Sequence, residues 1–370
     1  MVKKIPAIIV LLLLLLSNSS YSQLQKLSGK KLNSEDLDKY IKKQMDSLAM
    51  PGLSFALINN GKVVYHRSLG VTSLETKLKV NDQSIFEAAS MSKTVFAYFV
   101  LRMVDKKLLD LDTPLYRYLP YKDIEKDERY KLITARMVLS HTTGFPNWRY
   151  FDKRDENLYK YGELYLKFTP GTEFAYSGEG YRYLSLVIAH LNGLSIQTLD
   201  PLFQKEVAVP LHMKHAWFSG NNYISNHKVT GHVNGMVSKK SWPTSFPEQD
   251  STWFDAAGGL HTEALDFSAF LIGLMKGKGI SKSLVNEMFK EQVALDKKSP
   301  HYLVNGDTGW GLGIAIRPVS FGTIYEHGGN NGDFQSGFKI NRANQNGYVF
   351  FTNCDKGAAF NNKIAELLIN

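Results

Sequence analysis

Ser-x-x-Lys recurs in this chain; three of its copies are Ser28–Lys31, Ser90–Lys93 and Ser225–Lys228. A serine hydroxyl is a weak nucleophile until a neighbouring base takes its proton, and a lysine can do so only when its ammonium is held partly neutral. On a helix, residues three apart are neighbours, so the pair can meet. Context separates the three copies. Ser28 lies in a polar stretch and Ser225 in a loop-like segment between Asn222 and Gly231. Ser90 alone opens a run in which Met91, Val95, Phe96, Phe99, Val100, Met103 and Val104 recur at the spacing of an amphipathic helix. The first turn of such a helix carries free N–H groups and a partial positive charge, which favour alkoxide character at Ser90. Burial would lower the pKa of Lys93 and make it a proton acceptor. The plainer reading is a capping serine and a surface lysine.

Other chemistries lack their residues. The sequence has no GxSxG, GxxxxGK[ST], HExxH or GxGxxG. His212 and His215 form a pair with no third ligand nearby in sequence. Cys354 is the single cysteine, which removes internal disulfides and cysteine metal sites. Neither a metal nor an organic cofactor is expected. Lys and Arg outnumber Asp and Glu by 44 to 35, but the lysines are scattered as pairs such as Lys42-Lys43 and Lys239-Lys240. A solvated face explains them better than nucleic-acid binding.

Further segments carry a resemblance. Leu139-Ser-His-Thr-Thr-Gly-Phe-Pro146, Pro170-Gly-Thr172, Tyr176-Ser-Gly178 with Gly180-Tyr181, Ala257-Gly-Gly-Leu260 with Thr262 and Asp266, and His327-Gly-Gly329 with Gly332 follow in order. So does Leu109-Asp-Leu-Asp-Thr-Pro114. Together with Ser90–Lys93 they resemble the class C β-lactamase and penicillin-binding serine hydrolase family over nearly the whole chain, in its esterase or D-aminopeptidase branch. The resemblance implies roles: Ser90 as nucleophile, Lys93 as its partner, and Tyr176 beside both, passing the proton to the leaving group. His327 would line the site from a strand, with the backbone N–H groups of Ser90 and Asn330 as oxyanion hole and Gly178, Gly328 and Gly329 against substrate. Whether Lys93 or Tyr176 is the base stays open.

Two positions depart from the family pattern. Gly178 stands where lactamases carry Asn, and His327 where they carry Lys. The first removes an amide, and the second exchanges a fixed charge for a group neutral at pH 7 yet able to donate one hydrogen bond. Esters or D-amino-acid peptides, including peptidoglycan fragments, are therefore expected ahead of β-lactams. A lactamase or D,D-peptidase proper is the alternative, and a non-catalytic cell-wall peptide binder a second. The loop aromatics Trp148, Tyr150, Phe151, Trp242, Trp253, Phe254 and Trp310 suggest an extended apolar groove.

These residues need a scaffold. Residues 1–22 read as a cleavable secretory signal: Lys3 and Lys4, an apolar run over 5–16, then Ser20-Tyr-Ser22. The run is too short to span a membrane. A periplasmic or secreted protein is expected, with no membrane span in the mature chain. Asn33 caps a helix over 33–47. Strands over 53–58 and 62–71 flank Asn60-Gly61, and strands over 311–319, 323–327, 337–340 and 347–353 follow later, with Asn346-Gly347 as another hairpin turn. A helix closes at 358–369. Helical patterns fill 91–109, 135–140, 181–191 and 264–276. The predicted fold is α/β (α+β): one antiparallel sheet from both chain ends (23–82 and 301–370) flanked by helices, with a mainly helical insertion (83–300), in one 23–370 hydrolase domain.

Overall fold

The computed structural model of the chain describes residues 23–240, 242 and 246–369; the signal-like segment 1–22 lies outside the described residues. Eight strands form one sheet. From the early part of the chain come β1 (Gly52–Asn59) and β2 (Lys62–Gly70). From the late part come β3 (Val293–Ala294), β4 (Gly309–Trp310), β5 (Ala315–Val319), β6 (Gly322–Asn330), β7 (Gln335–Asn341) and β8 (Asn346–Thr352). The spatial order is β2-β1-β8-β7-β6-β5-β4-β3, antiparallel throughout. The seam between the two chain ends is β1 on β8, where Phe55 faces Phe350. The sheet from both ends is as the sequence predicts. Of this sheet, one short strand, β3, falls inside the stretch expected to be helical, and four more two-residue strands outside the sheet, Phe86–Glu87, His232–Val233, Met236–Val237 and His261–Thr262, fall there too.

The principal helices are α1 (Ser34–Ser47), α2 (Ser92–Asp105), α3 (Ala135–Leu139), α4 (Gly178–Leu191), α5 (Ala264–Lys276) and α6 (Gly357–Ile369). Alternate residues of a strand face opposite ways. Leu53, Phe55 and Leu57 of β1, with Tyr348 and Phe350 of β8, pack beneath α1 and α6 against Leu37, Ile41, Phe360 and Ile364. Ala56, Ile58, Val349 and Phe351 face the other way, into a core shared with α2 and α5 through Val95, Phe267 and Phe270. Asn33 caps α1 by accepting from the N–H groups of Glu35 and Asp36.

One local expectation holds and three change. Asn60-Gly61 makes the two-residue turn, both residues at positive φ. Asn346-Gly347 does not: that hairpin turns over 342–345, and both residues lie in β8. The Asn346 side chain instead accepts from Asn60 N–H, and a Cβ on Gly347 would stand 2.7 Å from Ile340 Cγ2. The strand expected over 311–319 is interrupted, because Gly311 N–H bonds back to Ile314 and Gly313 turns at φ +73° against α2. Finally, α2 is not amphipathic. Ser92 through Leu101 are all buried, so the helix runs through the centre between sheet and helical layer.

Candidate active site

Ser90 sits in a single 3₁₀ turn, Ala89–Met91, that runs directly into α2. Ala89 is left-handed at φ +47°, a backbone state that costs an L-residue about 1–2 kcal/mol. Its neighbours hold it there. Ser92 Oγ donates to Ala89 O at 2.5 Å and accepts from Leu260 N–H at 3.0 Å. Gly329 of β6 packs so closely that a Cβ there would stand 2.3 Å from Ala88 O and 3.1 Å from Ala89 Cβ. Gly329 is thus needed for the strand to reach the serine turn, whereas a Cβ at Gly328 would meet only Ser336 O, at an ordinary 3.9 Å.

Lys93 is 1% exposed, and its Nζ lies 3.3 Å from Ser90 Oγ and 2.7 Å from Ala257 O. Burial pushes the Lys93 pKa down to about 7, with Asp255 pulling weakly the other way. The Tyr176 ring lies 4.8 Å from Nζ. Burial raises the Tyr176 phenol far above its usual value, while Ser90 close by favours its phenolate. Its hydroxyl makes no hydrogen bond of ordinary geometry among the described residues. Tyr176 precedes Ser177, which caps α4 by accepting from Gly180 N–H. Beneath it lies His141, fully buried, left-handed at φ +58° and 4.3 Å ring to ring. His141 Nδ1 accepts from Ser177 N–H at 3.1 Å, which fixes the tyrosine's segment. His141 belongs to the Leu139–Pro146 segment, where its supporting role was not foreseen.

His327 is also buried, and its pKa is pushed down to about 3 by burial and then by Lys93. Its Nδ1 lies 2.7 Å from Gly328 O. A carbonyl only accepts, so Nδ1 carries the proton and Nε2 is a bare acceptor. The donor expected of His327 is already used. Along β6 the N–H groups alternate in direction. Asn331 N–H bonds across the hairpin to Phe334 O, so that of Asn330 points away from β7. The β5 pairing stops at Glu326, which leaves this edge free beside Ser90.

Ser90, Tyr176, His327, Gly328, Gly329 and Asn330 line one cleft of about 410 Å³. Asn147, His301, Asp307, Trp310, Glu326, Asn361 and Asn362 also line it, a set the sequence did not single out apart from Trp310. No lysine or arginine is in that lining. Gly178 is not in it either, because Trp148 covers the glycine: a Cβ at 178 would stand 2.3 Å from Trp148 Cη2. Of the seven loop aromatics only Trp310 reaches the cleft. Phe254 is core, Trp242 stacks on His261, and Phe151 is exposed. The extended groove expected from these seven aromatics is therefore not what lines the cleft. Among the described residues His215 does gain neighbours, Glu263 and Asp266, but both carboxylates accept from backbone N–H groups at the start of α5 and in the 214–215 turn.

An antiparallel sheet with helices packed on it, and the Ser90 turn between sheet and helical layer, defines the class: a β-lactamase/transpeptidase type of fold. The chain belongs to the Beta-lactamase family, whose sequence model matches residues 37–369. Protein flp of Staphylococcus aureus is 23% identical over 266 residues, 69% of this chain and 52% of that protein. Esterase EstB of Burkholderia gladioli is 28% identical over 203 residues, 49% of this chain and 50% of that one. The chain thus spans about half the length of these curated relatives. An octameric penicillin-binding protein homologue from Pyrococcus abyssi superposes with a TM-score of 0.75 at 20% identity, over 92% of this chain and 78% of that one. No helix among the described residues is long and apolar enough to cross a membrane.

Proposed function

We propose that this protein is an exported serine acyl hydrolase working through an acyl-enzyme on Ser90. The observation that carries the reading is the buried Lys93 amine 3.3 Å from the Ser90 hydroxyl, with its pKa brought to about 7. Neutral Lys93 takes the hydroxyl proton as Oγ bonds to the substrate carbonyl carbon. The N–H groups of Ser90 and Asn330 receive the oxyanion. As the carbonyl re-forms, the bond to the leaving group breaks. The leaving atom takes the Tyr176 proton, which Lys93 replaces. Water then attacks the Ser90 ester and releases the acid.

The lining indicates the substrate class. With His327 neutral and no lysine or arginine among the described residues that line the cleft, nothing there offers a charge-assisted bond to a substrate carboxylate. Esters and amides without a free carboxylate are turned over ahead of penicillins and cephalosporins; an N-blocked D-amino-acid ester or a peptidoglycan fragment lacking a free carboxylate at the cleft fits the same rule. Residues 1–22 serve as the export signal, and the mature chain starts at or near Gln23 in the periplasm or outside the cell.

Fluorophosphonate labelling followed by peptide mapping tests the reading. Label on Ser90, absent in Ser90→Ala, is expected, together with kcat/KM on p-nitrophenyl butyrate above that on nitrocefin by two or more decades. An unlabelled Ser90 in active protein refutes the mechanism, and nitrocefin turned over as fast as the ester refutes the substrate class.

A further inference from the structure

Asn147 stands in the cleft wall with a side chain whose orientation the backbone dictates. Its Oδ1 accepts from Gly178 N–H at 2.9 Å. An amide nitrogen could not face that donor, so Nδ2 points the other way. The main chain is anchored as well. Asn147 N–H donates to Asp152 at 2.7 Å, and Asn147 O accepts from the N–H groups of both Gly178 and Glu179 at 3.1 Å. Nδ2 has no partner among the described residues, and it is not one of the buried unpaired atoms. It is a solvent-reachable donor held rigidly in the same cleft as Ser90 and Tyr176.

The wall around it explains why the donor is at 147. Trp148 lies flat over the start of α4, so Gly178 has no room for any side chain. Arg149, next along, is locked to α4 by Glu179, which accepts from its N–H at 3.0 Å, its Nε at 2.9 Å and its NH2 at 2.8 Å. The three residues form one stiff segment in which only the Asn147 amide is offered to a ligand. A fixed, neutral N–H donor in a cleft without cations selects a neutral acceptor, and the commonest neutral acceptor near a scissile acyl bond is a second carbonyl.

We propose that Asn147 Nδ2 recognises a second carbonyl oxygen on the acyl part of the substrate, so that N-acylated amino-acid esters or amides are preferred over simple fatty acyl ones. This rests on the acyl hydrolase reading of the same cleft, and the test separates the two. Binding is measured by tryptophan fluorescence in a Ser90→Ala background, where no turnover is needed. The ligands are N-acetylalanine methylamide, as both enantiomers, and butyramide. Asn147→Asp keeps the acceptor for Gly178 and removes the donor. The parent is expected to prefer one acetylalanine amide, and Asn147→Asp to lower that preference about tenfold, the size of one hydrogen bond. Melting curves check that the variant is folded, and Asn147→Ser, which retains a smaller donor, should recover part of the preference. Equal weakening of both ligands would assign Asn147 to packing alone and overturn the proposal, as would a parent with no preference. Loss of Ser90 labelling in the native enzyme would overturn the hydrolase reading and leave the binding result standing.

Discussion

As the proposed base, Lys93 is expected to set the pH at which this site works. Its ammonium is disfavoured by burial, so protonation below about pH 7 would remove the proposed acceptor for the Ser90 proton. Neither His327 nor His141 titrates in that window, since burial holds His327 at about 3 and His141 well below its ordinary value. kcat/KM is therefore expected to rise with pH, tenfold per unit, to a plateau with a midpoint near 7. A Tyr176 phenolate as base would instead place the midpoint far higher, because burial raises that phenol. A pH profile on a neutral ester decides between them, and Lys93→Met should flatten the profile while lowering the rate by several decades. Ser90 and Lys93 were legible because their spacing and the helical run after them are local properties. Asn147 was not. It follows the Pro146 that closes a recognisable segment, and its value depends on Gly178 and Trp148 meeting in space.

At the level of elements, the same dipeptide tells two stories. Asn60-Gly61 is a turn because two strands end beside it. Asn346-Gly347 is strand because Gly347 lets β7 approach and Asn346 ties back to the first hairpin. Local propensity could not distinguish them; the pairing partner does. The helices were legible from apolar spacing, yet the central position of α2 was not, since periodicity says which face is apolar and not how many neighbours surround it. The contact between 147–149 and α4 offers a direct check. Arg149 and Glu179 are both buried, and breaking such a pair from one side costs about 3–5 kcal/mol. Glu179→Ala should lower urea-unfolding stability by that amount. Because Asn147 and Trp148 are tethered by the same contact, kcat/KM should fall in conditions where the protein remains fully folded. A stability loss with unchanged kinetics would make the pair purely structural.

Taken whole, the molecule's excess of basic residues is not expressed on the walls of its cleft. The formal charge is +9, yet among the described residues no lysine or arginine is in the lining of the cleft. Composition therefore said little about the site. The union of chain ends in one sheet was legible, because strand-like patterns cluster at the two ends with helical ones between. It was the order within the sheet that required the structure. That order has a temporal consequence. β1 leaves the ribosome early, but its partner on one side is β8, so Phe55 waits for Phe350 before the central seam can close. Contacts so distant in sequence form slowly and reward the chain only after a large loop is closed. A chain truncated after Asn341 is expected to be cleaved by protease as readily as unfolded protein, while the same chain extended to Ile369 resists. Partial protection of the truncated form would show that the helical insertion folds by itself. Otherwise synthesis delivers a chain that stays loose and threadable until β8 and α6 arrive, the condition that the proposed export would need from it.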